Sequence, residues 1–199
     1  MFLAPGARRA EVVERIGADG KVLTDPDEST VLHAFEKLCT QGVESVAVVV
    51  LFSFLNPAHE QRSAALAAAH FPHLSLSLSS AVDRAFREYE RTVVTGFDAY
   101  TKPVLTRYLR NLEDVLRQQH INAPFQVMQS RGGVSAASSA VERPVRLFLS
   151  GPAAGVIGAG QTGTEAGHQP LITVDIGGTR CDIALLSLAA NRWRGQRAS

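Results

Sequence analysis

Between residues 11 and 78 the chain alternates two kinds of apolar pattern, and this alternation restricts the fold more than any other feature. Residues 11–16 and 21–24 read as short strands around the turn Gly17-Ala18-Asp19-Gly20. Asp25-Pro26-Asp27-Glu28-Ser29 opens a helix, since acidic groups are favoured at the positive end of the helix dipole. Val31, Phe35 and Leu38 follow at helical spacing, with Leu32 and Cys39 beside them, and Gly42 is the expected stop. Residues 45–54 form a nearly unbroken run of valine, leucine and phenylalanine, the pattern of a strand covered on both faces. Asn56-Pro57 predicts a second helix, with Asn56 capping and Pro57 in the first position. Leu74, Leu76 and Leu78 then alternate with serines as a half-buried strand. Strand, helix, strand, helix, strand is the order of an α/β layer architecture.

Residues 87–120 predict a long helix. Tyr89, Val93, Phe97, Tyr100, Val104, Tyr108 and Leu112 share one face, and Pro103 is expected to break or kink it. Its charges, Arg87, Glu88, Glu90, Arg91, Arg107, Arg110, Glu113 and Asp114, have mixed signs and read as a solvated face rather than a nucleic-acid surface. Residues 125–128 are a further strand running into Gln129-Ser130-Arg131-Gly132-Gly133. Such a glycine loop after a strand is either a ligand loop or a plain turn, with Arg131 meeting an anion or facing water.

Ser150 is expected to cap a helix starting near Pro152 and built almost wholly of small residues. Each glycine lowers helix propensity by about 1 kcal/mol relative to alanine, so close packing against another helix or a ligand must offset the cost. Packing against a helix is the favoured reading. Gly158-Ala159-Gly160-Gln161-Thr162-Gly163 fits G-x-G-x-x-G, yet no strand precedes it and no room for a helix follows, so a dinucleotide site is rejected.

Two apolar runs, residues 171–176 and 181–186, flank Gly177-Gly178-Thr179-Arg180 and predict a hairpin. Paired glycines permit positive φ and close backbone approach, and successive N–H groups in such a turn can cradle an anion. Thr179 adds a hydroxyl, and Asp175 at the strand end could hold a metal-bound water. These parts suit the phosphate tail of a nucleotide; the alternative is an ordinary hairpin with a glycine turn. Residues 187–199, which include Trp193, read as a frayed end.

The 199 residues are 45% hydrophobic and 20% charged with a formal net charge of +1, as in a soluble globular protein of one large or two small domains. That charge sets up no field to draw in nucleic acid or an acidic membrane, and residues 46–54 are too short a run to span a bilayer. Cys39 and Cys181, far apart, make neither a disulfide framework nor a zinc site, so a cytoplasmic setting is the default and both are expected to be packed thiols. His70 and His73, separated by Pro72, read as surface residues.

Several segments occur together in a fixed order: Glu14-Arg15-Ile16 with Gly20-Lys21-Val22-Leu23, residues 51–60, residues 87–92, Met128-Gln129-Ser130 with Gly132-Gly133, residues 149–155, and Asp175-Ile176-Gly177-Gly178-Thr179 with Asp182. On these the chain resembles the hydantoinase/oxoprolinase family, the N-methylhydantoinase A and ATP-dependent 5-oxoprolinase group that also includes acetone-carboxylase subunits. The resemblance covers about residues 11–186. It implies an α/β fold, a partial actin/sugar-kinase/heat-shock-ATPase-like (ribonuclease-H-like) architecture with mixed sheet and flanking helices. Residues 1–148 would be the rest of an N-terminal domain, and residues 149–199 the start of a second lobe with its connecting helix and phosphate hairpin. The first phosphate hairpin of the family and most of the second lobe are expected to be missing.

The resemblance further implies an enzyme that couples ATP hydrolysis to opening of a cyclic amide, 5-oxoproline or a hydantoin, with magnesium bridging the phosphates. Phosphorylation of the amide oxygen would make a good leaving group. Asp175 would be catalytic and orient magnesium-bound water, Gly177, Gly178 and Thr179 would contact phosphate, and Asp182 would brace the turn. Gln129, Ser130, Gly132, Gly133, Ser150 and Gly151 are candidates for substrate or inter-lobe loops. A hydantoinase B-type companion subunit, or the remainder of the same polypeptide, would be the partner, with no nucleic acid and no membrane. Two departures stand out: Arg131 replaces an asparagine, and Thr179-Arg180-Cys181-Asp182 replaces Thr-Ser-Thr-Asp, which removes hydroxyl donors and adds a cation beside the phosphate. Two other readings stay open, a non-catalytic remnant or interaction module and a sugar-kinase-like fragment; the latter is disfavoured because only 20 residues follow Thr179.

Overall fold

The computed structural model describes residues 4–168 and 170–187, and residues 194–196 as backbone. They fall into two compact units, Met1–Asn122 with Val141–Val145 and Ala123–Ala140 with Arg146–Ser199.

In the first unit, β1 (Arg15–Ile16) and β2 (Val22–Thr24) pair antiparallel. The first strand is shorter than the pattern predicts because Val13 is tied elsewhere. Its N–H donates to the Thr30 hydroxyl, and its carbonyl accepts from the Asp27 N–H. Asp27 caps α1 (Glu28–Thr40) by accepting from the Ser29 amide at 2.9 Å. The Ser29 hydroxyl and amide hold the Asp27 carboxyl below its ordinary value.

β3 (Ser45–Val48), α2 (Ala58–His70) and β4 (Ser75–Leu78) form a parallel crossover unit with Val46 opposite Leu76. Alternation divides this small sheet into two chemically different faces. Val46, Val48 and Leu76 pack with Val31, Phe35, Leu66, Ala67 and Leu74 into the core under α1 and α2. The serine face, expected to meet water, is covered instead. Ser77 is 1% exposed, and its hydroxyl donates to Asp98 Oδ2 at 2.7 Å.

Residues 49–54 leave the strand, although their composition predicts its continuation, and Phe52 takes φ 57°. Buried side chains claim the backbone there in place of a ladder. The Val50 N–H donates to Glu60, and the Val50 carbonyl accepts from the Arg91 guanidinium. Glu60 also accepts from the Ser79 and Ser80 hydroxyls and the Ser80 N–H, which fixes α3 (Ser79–Val82). At the start of α2, Pro57 takes the cap position, and Asn56 instead accepts from the Ala58 N–H and donates to the Gly20 carbonyl.

α4 (Glu88–Gln118) runs 31 residues and continues through Pro103. Its burial inverts the expectation from sequence. Arg91, Thr95 and Asp98 are fully buried, whereas Tyr89, Tyr100, Val104 and Tyr108 are 59–79% exposed. The serine face of β4 supplies the reason: it offers hydroxyl and carbonyl partners, so the polar side of the helix docks there. Lys102 Nζ donates to the Leu76 carbonyl at 2.7 Å alongside the Ser77–Asp98 bond.

In the second unit β5 (Gln126–Met128) and β6 (Val134–Ala136) make an antiparallel hairpin, and α5 (Ala137–Glu142) follows β6 directly. α6 (Ser150–Glu165) then leads into β7 (Leu171–Ile176) and β8 (Cys181–Leu186), an antiparallel pair. The tail read as frayed contributes a third strand, β9 (Arg194–Gln196), beside β8; Trp193 lies outside the described residues. The G-x-G-x-x-G stretch is helix interior, within α6.

Candidate functional site

The second unit is assembled on α6, and the glycines of that helix are where other elements come close. A methyl on Gly163 would overlap Leu171, and one on Gly160 would stand 3.0 Å from Leu186. One on Gly155 would stand 3.7 Å from the Asp175 carboxylate. The cost of glycine in this helix is therefore offset by close packing of the β7–β8 hairpin, not of a second helix as the sequence predicts. Leu171, Thr173 and Asp175 of β7, with Asp182, Ala184 and Leu186 of β8, share one side by alternation, and the contacts at Gly155, Gly160 and Gly163 put that side on α6.

The register sets Asp175 directly opposite Asp182. Like charges facing each other across a ladder are destabilising unless something offsets them. Among the described residues no ion pair or hydrogen bond engages either carboxylate. Beyond them the turn closes through Gly177 N–H donating to the Arg180 carbonyl at 2.9 Å. All four turn residues are exposed. The paired glycines do not use the left-handed region expected of them: Gly177 and Gly178 are absent from the positive-φ positions. What they supply is room, because a Cβ at Gly178 would meet nothing within 4 Å. Thr179 sits in this open turn beside Arg180. Cys181, expected to be packed, is exposed, because alternation puts it on the outer face opposite Ile176.

Residues 129–133 turn the β5–β6 hairpin rather than link a parallel strand to a helix. Gln129 N–H donates to the Gly133 carbonyl and Gly132 N–H to the Gln129 carbonyl. Gly132 and Gly133 do take φ of 83° and 78°. Gly132 approaches α6, where a methyl would stand 3.0 Å from Ile157, and Ser130 N–H is held by the Arg146 carbonyl at 2.7 Å. Both glycine turns are thus carried by elements that contact the same helix.

Ser150 is the first residue of α6 rather than its cap, and Gly151 follows it in the first turn. Leu149 holds the cap position at φ 58° with no side-chain cap bond. A left-handed non-glycine residue costs about 1–2 kcal/mol, and such strain gathers at functional segments. Nothing in the sequence pattern marks Leu149 for this conformation. No group of three metal-ligating side chains gathers among the described residues, and none of their helices is long and apolar enough to cross a membrane.

Comparison with known proteins bears on what this arrangement belongs to. A family profile described as hydantoinase/oxoprolinase matches residues 91–194, and its N-terminal-region companion matches residues 1–71. The chain belongs to the hydantoinase/oxoprolinase family. It is 33% identical to caprolactamase subunit alpha of Pseudomonas jessenii over 92% of its own length and 26% of that protein. It is 34% identical to a 5-oxoprolinase of Saccharomyces cerevisiae over 82% of its own length and 12% of that protein. The crystal structure of ATP-dependent caprolactamase from Pseudomonas jessenii superposes with a TM-score of 0.85 at 33% identity, over 92% of this chain and 27% of that one. The chain therefore spans about a quarter or less of these relatives, and it carries the α/β, actin-like ATPase-type architecture of the superposed part.

Proposed function

We propose that this chain is a portion of an ATP-dependent cyclic amidohydrolase, the portion that bears one phosphate-binding hairpin. The observation that carries the reading is the β7–β8 hairpin: two facing carboxylates, Asp175 and Asp182, free of protein donors among the described residues, lead into an open Gly177-Gly178-Thr179 turn. A facing carboxylate pair favours a bound cation, and an exposed glycine turn gives backbone N–H groups room to meet phosphate, so these residues fit magnesium and ATP. Gly177, Gly178 and Thr179 would hold phosphate, Asp175 would orient a magnesium-bound water, and Asp182 would fix the turn. Bound ATP would supply the phosphoryl group that activates the amide of 5-oxoproline, a hydantoin or a related lactam. Gln129, Ser130, Gly132, Gly133, Ser150 and Gly151 would line the substrate or inter-lobe side. The second lobe of the parent would begin near residue 149, in a cytoplasmic protein with a B-type companion subunit or further polypeptide of its own. Naming of the caprolactamase relative as a subunit supports that partner.

The test is Asp175→Asn in the full-length parent. Loss of ATP-coupled ring opening with the fold retained is expected; unchanged turnover would remove Asp175 from the mechanism. A second reading, an interaction module without catalysis, is favoured by Arg180, whose bulk stands in the turn where a hydroxyl would serve phosphate better. Robust ATP hydrolysis by the purified 199-residue chain would sink it.

A further inference from the structure

Arg180 closes the β7–β8 turn, and the register fixes which side of the hairpin it belongs to. The Gly177 N–H bond to the Arg180 carbonyl carries the pairing one rung past Ile176 and Cys181. Side chains alternate along each strand, so Arg180 falls on the side of Asp182 and Asp175, two rungs nearer the tip than they are. The bulk that speaks for an interaction module has room there, because Gly177 opposite it carries no side chain and a Cβ at Gly178 would meet nothing within 4 Å. The contacts along α6 place the tip. Leu171 comes up against Gly163 and Asp175 against Gly155, so β7 and α6 run side by side in opposite directions. Four strand residues cover about 13 Å and eight helical residues about 12 Å, so the two elements keep level. The turn begins about 7 Å past Asp175, level with Ser150 and Gly151 in the first turn of α6. That is the positive end of the helix dipole, and its first turn holds no acidic residue. Two carboxylates share the side of Arg180, yet among the described residues no ion pair or hydrogen bond engages its guanidinium. The hairpin thus carries positive charge at its tip and negative charge two rungs in.

We infer that Arg180 is a phosphate-binding residue, whose guanidinium takes the terminal phosphates of a nucleoside triphosphate at the tip while Asp175 and Asp182 face the divalent cation those phosphates carry. The inference rests on the hairpin being a nucleotide site, as proposed above, and assigns a binding role to a residue that the family resemblance leaves without one. A bare anion at the tip would be repelled by the carboxylates, and a bare cation by Arg180. A metal–polyphosphate complex has both charges in the order the hairpin offers. Guanidinium stays charged and presents a planar fork of donors that matches phosphate oxygens, so one side chain stands in for the hydroxyls that residues 180 and 181 lack. Cys181, on the outer face, takes no part.

Isothermal titration calorimetry of the full-length parent with magnesium and a non-hydrolysable ATP analogue tests this, on the native protein and on Arg180→Gln, Arg180→Lys and Arg180→Ser. Circular dichroism checks that each variant keeps the fold. Loss of a charge-assisted bond should weaken binding roughly tenfold to a hundredfold in Arg180→Gln. Arg180→Lys should keep part of the affinity, because it keeps the charge without the fork. Inorganic tripolyphosphate with magnesium, as a second probe, should show the same loss in Arg180→Gln. Unchanged binding of the analogue by Arg180→Gln would overturn the inference and leave the nucleotide reading standing. Tighter binding by Arg180→Ser than by the native protein would overturn it as well, by showing that Arg180 obstructs the turn. A native parent that binds neither probe would overturn the nucleotide reading and this inference with it.

Discussion

One chemical change, glycine to alanine, should have opposite effects at two positions five residues apart in α6. At Gly158 a new Cβ would meet nothing within 4 Å, so alanine adds only helix propensity. That gain is about 1 kcal/mol, or a Tm rise of roughly 2–4 °C for a chain of this size. At Gly163 the new methyl would overlap Leu171 Cδ1 and stand 3.2 Å from its Cγ and Cδ2. Leu171 heads β7, and either its side chain or the hairpin must shift to admit the methyl. Overpacking costs about 1–3 kcal/mol, against the same propensity gain of about 1 kcal/mol, so Gly163→Ala should be neutral to about 2 kcal/mol destabilising. Gly160→Ala, 3.0 Å from one methyl of Leu186, should fall between them. The assay is thermal and urea unfolding followed by far-ultraviolet circular dichroism, with hydrogen exchange of the α6 amides to locate the effect. Equal stabilisation by all three alanines would refute the reasoning, because it would mean that the hairpin does not press on the helix at Gly163.

Glu60→Ala should destabilise the first unit by about 3–5 kcal/mol in urea unfolding, because it leaves the Ser79, Ser80 and Val50 donors buried without an acceptor; a loss below about 1 kcal/mol would show the network to be dispensable. The Asp27 cap should weaken in acid. Its lowered carboxyl makes the stabilisation fully present above the ordinary value of 3.8 and progressively lost as pH falls through the folded-state value, so a carboxyl NMR titration of Asp27 should give a midpoint below 3.8. Leu149→Gly should leave stability unchanged or raise it by up to about 1 kcal/mol by relieving the left-handed strain, whereas Leu149→Ile should lower it; chemical denaturation of both variants checks the sign.

Pattern rules read this chain well where one face of an element decides its burial. Val31, Phe35 and Leu38 recur at helical spacing and lie buried on one side of α1, and Leu76 of β4 packs against the core. The small residues of α6 implied close packing against another helix; close packing is there at Gly160 and Gly163, but the β7–β8 hairpin makes it. The same rules failed where polar side chains do the burying. Residues 49–54 look like strand, but Glu60 and Arg91, both fully buried, take the hydrogen bonds of Val50. Neither residue is near Val50 in sequence, so no local window contains the cause. α4 failed for a related reason: its aromatic face is more hydrophobic, yet the polar face has the better partners in Ser77 and the Leu76 carbonyl. At the candidate site the hairpin was legible from the two apolar runs. The exposure of Cys181 was not, because it depends on which face of the hairpin lies on α6, and no local pattern marks Leu149 for its left-handed conformation.

The exposed thiol of Cys181 gives this protein a reporter already in place. It stands one residue beyond the glycine turn, on the outer face of β8, while the chain's other thiol, Cys39, is half-buried with its sulfur 3.7 Å from His73 Nε2. A maleimide fluorophore would therefore attach preferentially beside the turn without any engineered residue. The emission of that one label on titration with magnesium and ATP would report occupancy of the hairpin directly, with no need for a ring substrate or a turnover assay.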